Sequence, residues 1–168
     1  SSTPKSCRKN IKKALQIIMN EDEAAIQKFI KDFREEFMKL PFEDIAFPRG
    51  MNNMEKYRDH NEIYKSKTPI HVKGALIYNH ILTKNNLDRK YQQINDGDKI
   101  KFAYLKTQNP FHDTVISILD EVPKELNILK YIDYDMQFTK SFLDPISSIL
   151  DVIGWSAEKK NTLEGFFQ

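Results

Sequence analysis

Ile26, Phe29, Ile30, Phe33, Phe37 and Leu40 recur at i, i+3, i+4, i+7, i+11 and i+14, and Pro41 cuts the series off. That spacing predicts one long helix with a single apolar stripe, ended by a residue that has no N–H to donate. Glu21, Asp22 and Glu23 fall in its first turn, where acids complement the helix dipole, and Asn20 with Glu23 reads as a capping box. Its three phenylalanines are expected in a core. A helix that is apolar on one side only must be covered, so the rest of the chain has to supply the facing layer.

The segment before it is different. Thr3 is a plausible N-cap and Pro4 a plausible first residue of a helix running to Asn20. That helix carries Lys5, Arg8, Lys9, Lys12 and Lys13 and no acid, while Ile11, Leu15 and Ile18 give it an apolar stripe. Unrelieved cations on one short helix mean a bound anion or a solvated face, and the anion is the favoured reading.

From Pro41 to Lys67 the periodicity vanishes, and Pro48, Gly50, Asn52 and Asn53 mark turns. Thr68 and Pro69 then open a helix to about Thr83, with Ile70, Leu76, Ile77 and Ile81 buried. Its first turn holds His71 and Lys73, beside backbone N–H groups free to meet a phosphate. Arg49, Asn52, Asn53, Lys56, His71 and Lys73 thus form a polar, basic island between regular elements, a typical setting for a working surface.

Downstream, Asn95–Gly97 reads as a turn, and Lys99–Lys106 alternates around Ile100, Phe102 and Tyr104 as a half-buried strand. Val115, Ile116 and Ile118 suggest the returning strand, and Pro123 a short helical piece. Asp133 should cap a last long helix that Pro145 kinks or splits and Gly154 terminates. The fold class is one mixed α+β domain, mostly α-helical, with a small antiparallel strand pair.

The 168 residues can bury a real core, and 40% hydrophobic with 30% charged content fits a soluble globular class. No apolar run approaches the roughly 20 residues of a membrane-spanning helix. The lone Cys7 can form no internal disulfide. The net charge of +2 hides an asymmetry: residues 1–110 carry 21 Lys/Arg against 14 Asp/Glu, and residues 111–168 carry 5 against 10. A basic front and an acidic rear suit a protein that meets a polyanion with one side.

Complete catalytic constellations are missing. Asp96-Gly97-Asp98 and Asp133-Tyr134-Asp135 have a spacing used in two-metal sites, but the first is ordinary turn chemistry and the second sits where an N-cap is needed. His60, His71, His80 and His112 show no zinc-binding spacing, and no P-loop or nucleophile elbow is present. At the other end, Leu163, Phe166 and Phe167 close the chain as an apolar trio. They are either docked on the domain's own core or an anchor for a pocket on a partner.

Five stretches, in this order, carry a resemblance: SSTPK, FPRGMNNMEKY, TPIHVKGALIYN, DGDKI with NPF, and a terminal Leu-x-x-Phe-Phe. Together they resemble the C-terminal thumb region of the family B replicative DNA polymerases of T-even-type bacteriophages, over essentially the whole chain. The resemblance implies a thumb over residues 1–155 and a sliding-clamp-binding tail over 156–168. It implies that Arg49, Asn52, Asn53, Lys56, His71 and Lys73 face the backbone or minor groove of primer–template duplex, with Lys5 in the join to the palm. The tail matches the clamp-binding pattern at Leu163, Phe166 and Phe167 and departs from it at Lys160, where that pattern has Gln.

By the same resemblance the catalytic and proofreading carboxylates belong to palm and exonuclease domains, with magnesium in the palm and no cofactor in this chain. The chain alone is then expected to be inactive, part of a nucleotidyltransferase working in the cytoplasm of an infected bacterium. Its lack of an initiating Met suggests an excised fragment or one piece of a split polymerase. The alternative is a stand-alone accessory module that binds DNA and a protein partner.

Overall fold

The computed structural model describes residues 2–159, about half of the chain being helical. Helix α1 spans Lys5–Asn20 and α2 spans Glu23–Phe37, joined by a tight turn. The cap between them is Asp22, whose side chain accepts from Ala25 N at 3.0 Å. Asn20 instead closes α1, donating to Gln16 O, and the Glu23 carboxylate accepts from Ser156 N at 2.8 Å. The expected Asn20–Glu23 box is therefore replaced: the cap lies two residues later, where the Asp22 carboxylate takes the orphan N–H of Ala25.

Helix α2 buries Ile26, Ile30, Phe33 and Phe37 as expected, with Phe29 half-buried beside them. Phe33 sits 4.8 Å from Phe142, 5.7 Å from Phe138 and 5.9 Å from Phe37, all steeply inclined, the edge-to-face geometry that aromatic quadrupoles favour. Helix α1 starts at Lys5, with Pro4 as its cap, and buries Cys7 and Ala14; the expected Leu15 lies at the margin of that stripe.

The stretch after Pro41 is more regular than its composition suggests. Helix α3 (Phe42–Ile45) leads into strand β1 (Phe47–Gly50), followed by the single turn α4 (Met54–Tyr57) and a two-stranded hairpin of β2 (Arg58–Asp59) and β3 (Ile63–Tyr64). Helix α5 covers Ile70–Lys84; β4 is Lys99–Tyr104 and β5 is Val115–Ile118. The sheet is antiparallel in the order β1-β4-β5, so the expected strand pair gains an edge strand. Pro48, opposite Lys101, sits where a missing N–H is tolerated, on an edge.

Helix α5 lies on β5 at very short range. Thr68 does not cap it; its hydroxyl donates to Lys65 O, and Pro69 takes the cap position. Gly74 permits the contact, because a Cβ there would meet Ser117 Oγ and the β5 backbone within 3.0 Å. This helix is buried through Val72, Gly74–Tyr78, Ile81 and Leu82, more fully than a one-sided stripe would be.

Short 3-10 turns at Lys124–Leu126 and Ile128–Tyr131 lead to α6 (Tyr134–Phe138), capped by Asp133 accepting from Met136 N. A π-helical turn over Thr139–Leu143 passes into α7 (Asp144–Val152). Pro145 does not end the run, which is divided into α6 and α7 by the π turn just before it. Its ring and missing N–H would disrupt an α-helical bond to the carbonyl four residues back, and the widened turn just before it absorbs that misfit. Gly154, at φ 75°, ends α7: its N–H bonds Asp151 O and the next N–H, of Trp155, bonds Leu150 O.

One buried side chain ties helices to sheet. Gln137 accepts from Tyr104 N at 2.7 Å and donates to Ile45 O at 2.8 Å, closing the ends of β4 and α3 at once. No helix among the described residues is long and apolar enough to cross a membrane.

Candidate nucleic-acid interface

Arg49 is placed by β1. Its register partner is Ile100, and Phe47 pairs with Phe102, so all four project from the same face of the sheet. The Phe47 and Phe102 rings stack at 4.9 Å, and the Arg49 guanidinium lies over both, 5.4 Å from Phe102 and 5.8 Å from Phe47. One guanidinium nitrogen donates to Ser2 O at 2.6 Å and to its neighbour's carbonyl at Pro48. The aromatic floor fixes the cation's stem and leaves donors of the fork available.

The next residues are held from beneath. Met51 and Met54 are buried, Met51 N donates to Asp98 O, and Gly97 N donates back to Met51 O. Met54 N donates to Asp96 Oδ1. Between these anchors Asn52 and Asn53 are exposed, Asn53 in the left-handed region at φ 59°, a conformation its short amide tolerates. Lys56 follows, exposed, with its ammonium 5.3 Å from the Tyr57 ring.

His71 arrives from the first turn of α5, whose position is fixed by Ser117 Oγ donating to His71 O at 2.9 Å. Burial lowers the imidazole's pKa below its usual value, and the nearby positive Arg49 lowers it further. His71 is thus neutral at physiological pH, a hydrogen-bonding group rather than a charge. Lys5 is exposed in the first turn of α1, three residues beyond the Ser2 carbonyl that Arg49 holds.

Lys73 is differently engaged. Its ammonium lies 3.4 Å from Asp113 Oδ1 and 4.9 Å from the Tyr64 ring, and Tyr64 donates to Asp113 Oδ2 at 2.7 Å. At 23% and 13% side-chain exposure the pair is half-shielded. Burial opposes the charge on Lys73, but Tyr64 and Asp113 outweigh it and the pKa is raised. A phosphate would have to compete with Asp113 for this cation. Asp113 is 40 residues away in sequence, so no local pattern could have signalled the pair.

The structure therefore brings Arg49, Asn52, Asn53, Lys56 and His71 into one neighbourhood, puts Lys5 at its border and turns Lys73 inward. Leu163, Phe166, Phe167 and Lys160 lie outside the described residues. Among the described residues no group of three or more His, Cys, Asp or Glu is placed to hold a metal. Asp96 and Asp98 each accept a backbone N–H, from Met54 and Asn95, which is turn chemistry.

No family model matches the chain. The chain is 30% identical over 171 residues to a DNA-directed DNA polymerase of Enterobacteria phage T4, and 31% identical over 173 residues to one of Escherichia phage RB69. Over 99% of its length, it is similar to T4-type phage DNA polymerases. The resemblance read from the five motifs is borne out at that level. The chain spans about 18% of the length of each of these polymerases.

Proposed function

We propose that this chain is the thumb of a phage DNA-directed DNA polymerase, gripping primer–template duplex while other domains carry the chemistry. The observation behind this reading is the similarity of 99% of the chain to about 18% of the length of each polymerase. The surface at Arg49, Asn52, Asn53, Lys56 and His71 suits the role: cations pair with phosphates whatever the sequence, and amides and a neutral imidazole reach minor-groove acceptors common to A·T and T·A pairs. Nucleotidyl transfer, with its magnesium, and proofreading are assigned to the palm and exonuclease domains. The place of work is the cytoplasm of the infected host.

Leu163, Phe166 and Phe167 are proposed as the sliding-clamp contact. A tail held by a ring on the same DNA raises the local concentration of polymerase without further base contacts.

Salt-dependent duplex binding by the isolated chain tests the grip. Arg49→Ala with Lys56→Gln should weaken binding and flatten its salt dependence; affinity indifferent to salt would overturn the reading. Clamp association unchanged by Phe166→Ala with Phe167→Ala would remove the tail from the proposal. Nucleotide incorporation by this chain alone would contradict its assignment as a non-catalytic part.

A further inference from the structure

Apart from Lys5 at its border, the α1 cations remain outside the surface just described. Lys5, Arg8, Lys9, Lys12 and Lys13 are all exposed. At 100° per residue they occupy one arc of about 140°, opposite the narrow arc of Cys7, Ile11, Ala14 and Ile18 that packs inward. None forms an ion pair or a hydrogen bond with an acid among the described residues. Asp44, on the neighbouring α3, bonds α1 through its backbone carbonyl, which accepts from Ser6 Oγ. Many other surface cations among the described residues are likewise without an ion pair, so what sets α1 apart is that five exposed cations share one arc of a single helix.

We infer that this face is a second phosphate-backbone contact, in which Lys9, Lys12 and Lys13, with Lys5 and Arg8, follow one strand of duplex DNA beyond the Arg49 surface. The inference rests on the duplex-grip reading and extends it. Three observations favour a nucleic-acid backbone over an acidic protein. First, between Lys5 and Lys13 the face holds one sign of charge with no acid or apolar side chain among the cations. The exposed Met19 beyond them on the same arc is a single apolar side chain, where protein interfaces are built around clusters of anchors. Second, Lys5 to Lys13 spans about 12 Å along the helix axis, the rise of three to four phosphates at 3.4 Å per step of one strand. Third, Arg49 holds Ser2 O, so the α1 face begins where the Arg49 surface ends. An α-helix supported from behind presents these ammonium groups on a fixed spacing without binding any base, as sequence-independent grip requires.

The test uses the full chain and a primer–template duplex of about 24 base pairs, with fluorescence anisotropy between about 50 and 200 mM salt. The first variant is Lys9→Gln/Lys12→Gln/Lys13→Gln, at three exposed positions where Gln keeps helix propensity. The slope of log K against log salt should fall by about 2 to 3, since each phosphate contact contributes about 0.9. Affinity at about 100 mM salt should fall at least about tenfold, equally for unrelated sequences. The all-Arg counterpart, Lys9→Arg/Lys12→Arg/Lys13→Arg, should retain the slope. Circular dichroism identical to the parent shows that the fold is intact.

A parental slope in the Gln variant overturns the inference, and if that variant instead loses binding to an acidic domain of the polymerase, the face belongs to a protein partner. Loss in the Arg counterpart also overturns it, because charge would not be what matters. If Arg49→Ala with Lys56→Gln flattens the slope while the α1 variant does not, the duplex grip stands without α1. If neither variant changes it, both readings fall.

Discussion

Gly74 meets Ser117 without room for a side chain: a Cβ would stand 2.5 Å from the Ser117 hydroxyl and 2.8 Å from its backbone nitrogen. The second distance decides the matter, because a hydroxyl can rotate away and a strand cannot. Gly74→Ala gains helix propensity worth about 1 kcal/mol but forces α5 off β5, where overpacking costs about 1–3 kcal/mol. Net destabilisation is expected in urea unfolding. Removing the hydroxyl as well, with Ser117→Ala, should not restore the parent value. Because α5 also carries His71, duplex binding should weaken with it.

Gln137 has 0% exposure, yet its amide serves two backbone groups in different elements. Gln137→Leu keeps much of the volume and leaves Tyr104 N and Ile45 O without that partner. Each stranded group costs about 1–3 kcal/mol, so a loss of about 2–5 kcal/mol is expected by chemical denaturation. A loss below about 1 kcal/mol would mean that water replaces the amide at both ends.

Lys73 and Arg49 should separate by readout. Asp113 supplies the countercharge that holds Lys73 in its shielded setting. Lys73→Met should therefore cost stability, about 1 kcal/mol by thermal or urea unfolding, with little change in duplex affinity. Arg49→Ala, lying over an aromatic pair at the surface, should do the reverse.

Arg49 and His71 are linked through pH. His71 is held below its usual pKa by burial first and by Arg49 second. In the unfolded chain it takes up a proton near pH 6.5, and the folded chain refuses it, so stability from this group is lost as pH falls below about 6.5. Arg49→Ala should raise the His71 pKa in an NMR titration without bringing it to the unfolded value, because burial persists.

At the alkaline end the sign is opposite. Burial pushes the Tyr78 hydroxyl up to about 12, and Tyr64 and Tyr134 are raised for the same first reason. Above about pH 10 the unfolded chain releases tyrosine protons that the folded chain keeps, so stability falls as pH rises from 10 toward 12. Tyr78→Phe should flatten that fall in urea unfolding across pH 9–12.

Helices announced themselves wherever a stripe was long and a cap was local: α2 by its phenylalanines, α6 by Asp133, the end of α7 by Gly154. Strand β1 did not, because four residues containing Pro48 and Gly50 carry no alternation, and their pairing is supplied by β4 about 50 residues later. The cap of α2 was missed by two residues, since Asn20, Asp22 and Glu23 offer similar oxygens and only geometry selects among them. Within the candidate site, the basic character of Arg49 and Lys56 was legible. The aromatic floor from Phe102 and the pairing of Lys73 with Asp113 are products of tertiary contact, with no nearby signature.

The strap after α7 has a mechanical consequence. Ser156 bonds to Glu23 and Gln27, and Glu158 bonds to Arg34 at 2.9 Å, so the strap runs along α2 in the direction of that helix. Tension arriving at Lys159 meets the attachments to α2, the helix rooted in the phenylalanine core, before it reaches α7 through the backbone. Pulled along the helix axis, these attachments share the load in shear. Pulled outward, they peel one at a time, beginning with the exposed Arg34–Glu158 bridge. A tether fixed beyond this point would therefore hold or yield according to the direction of the pull.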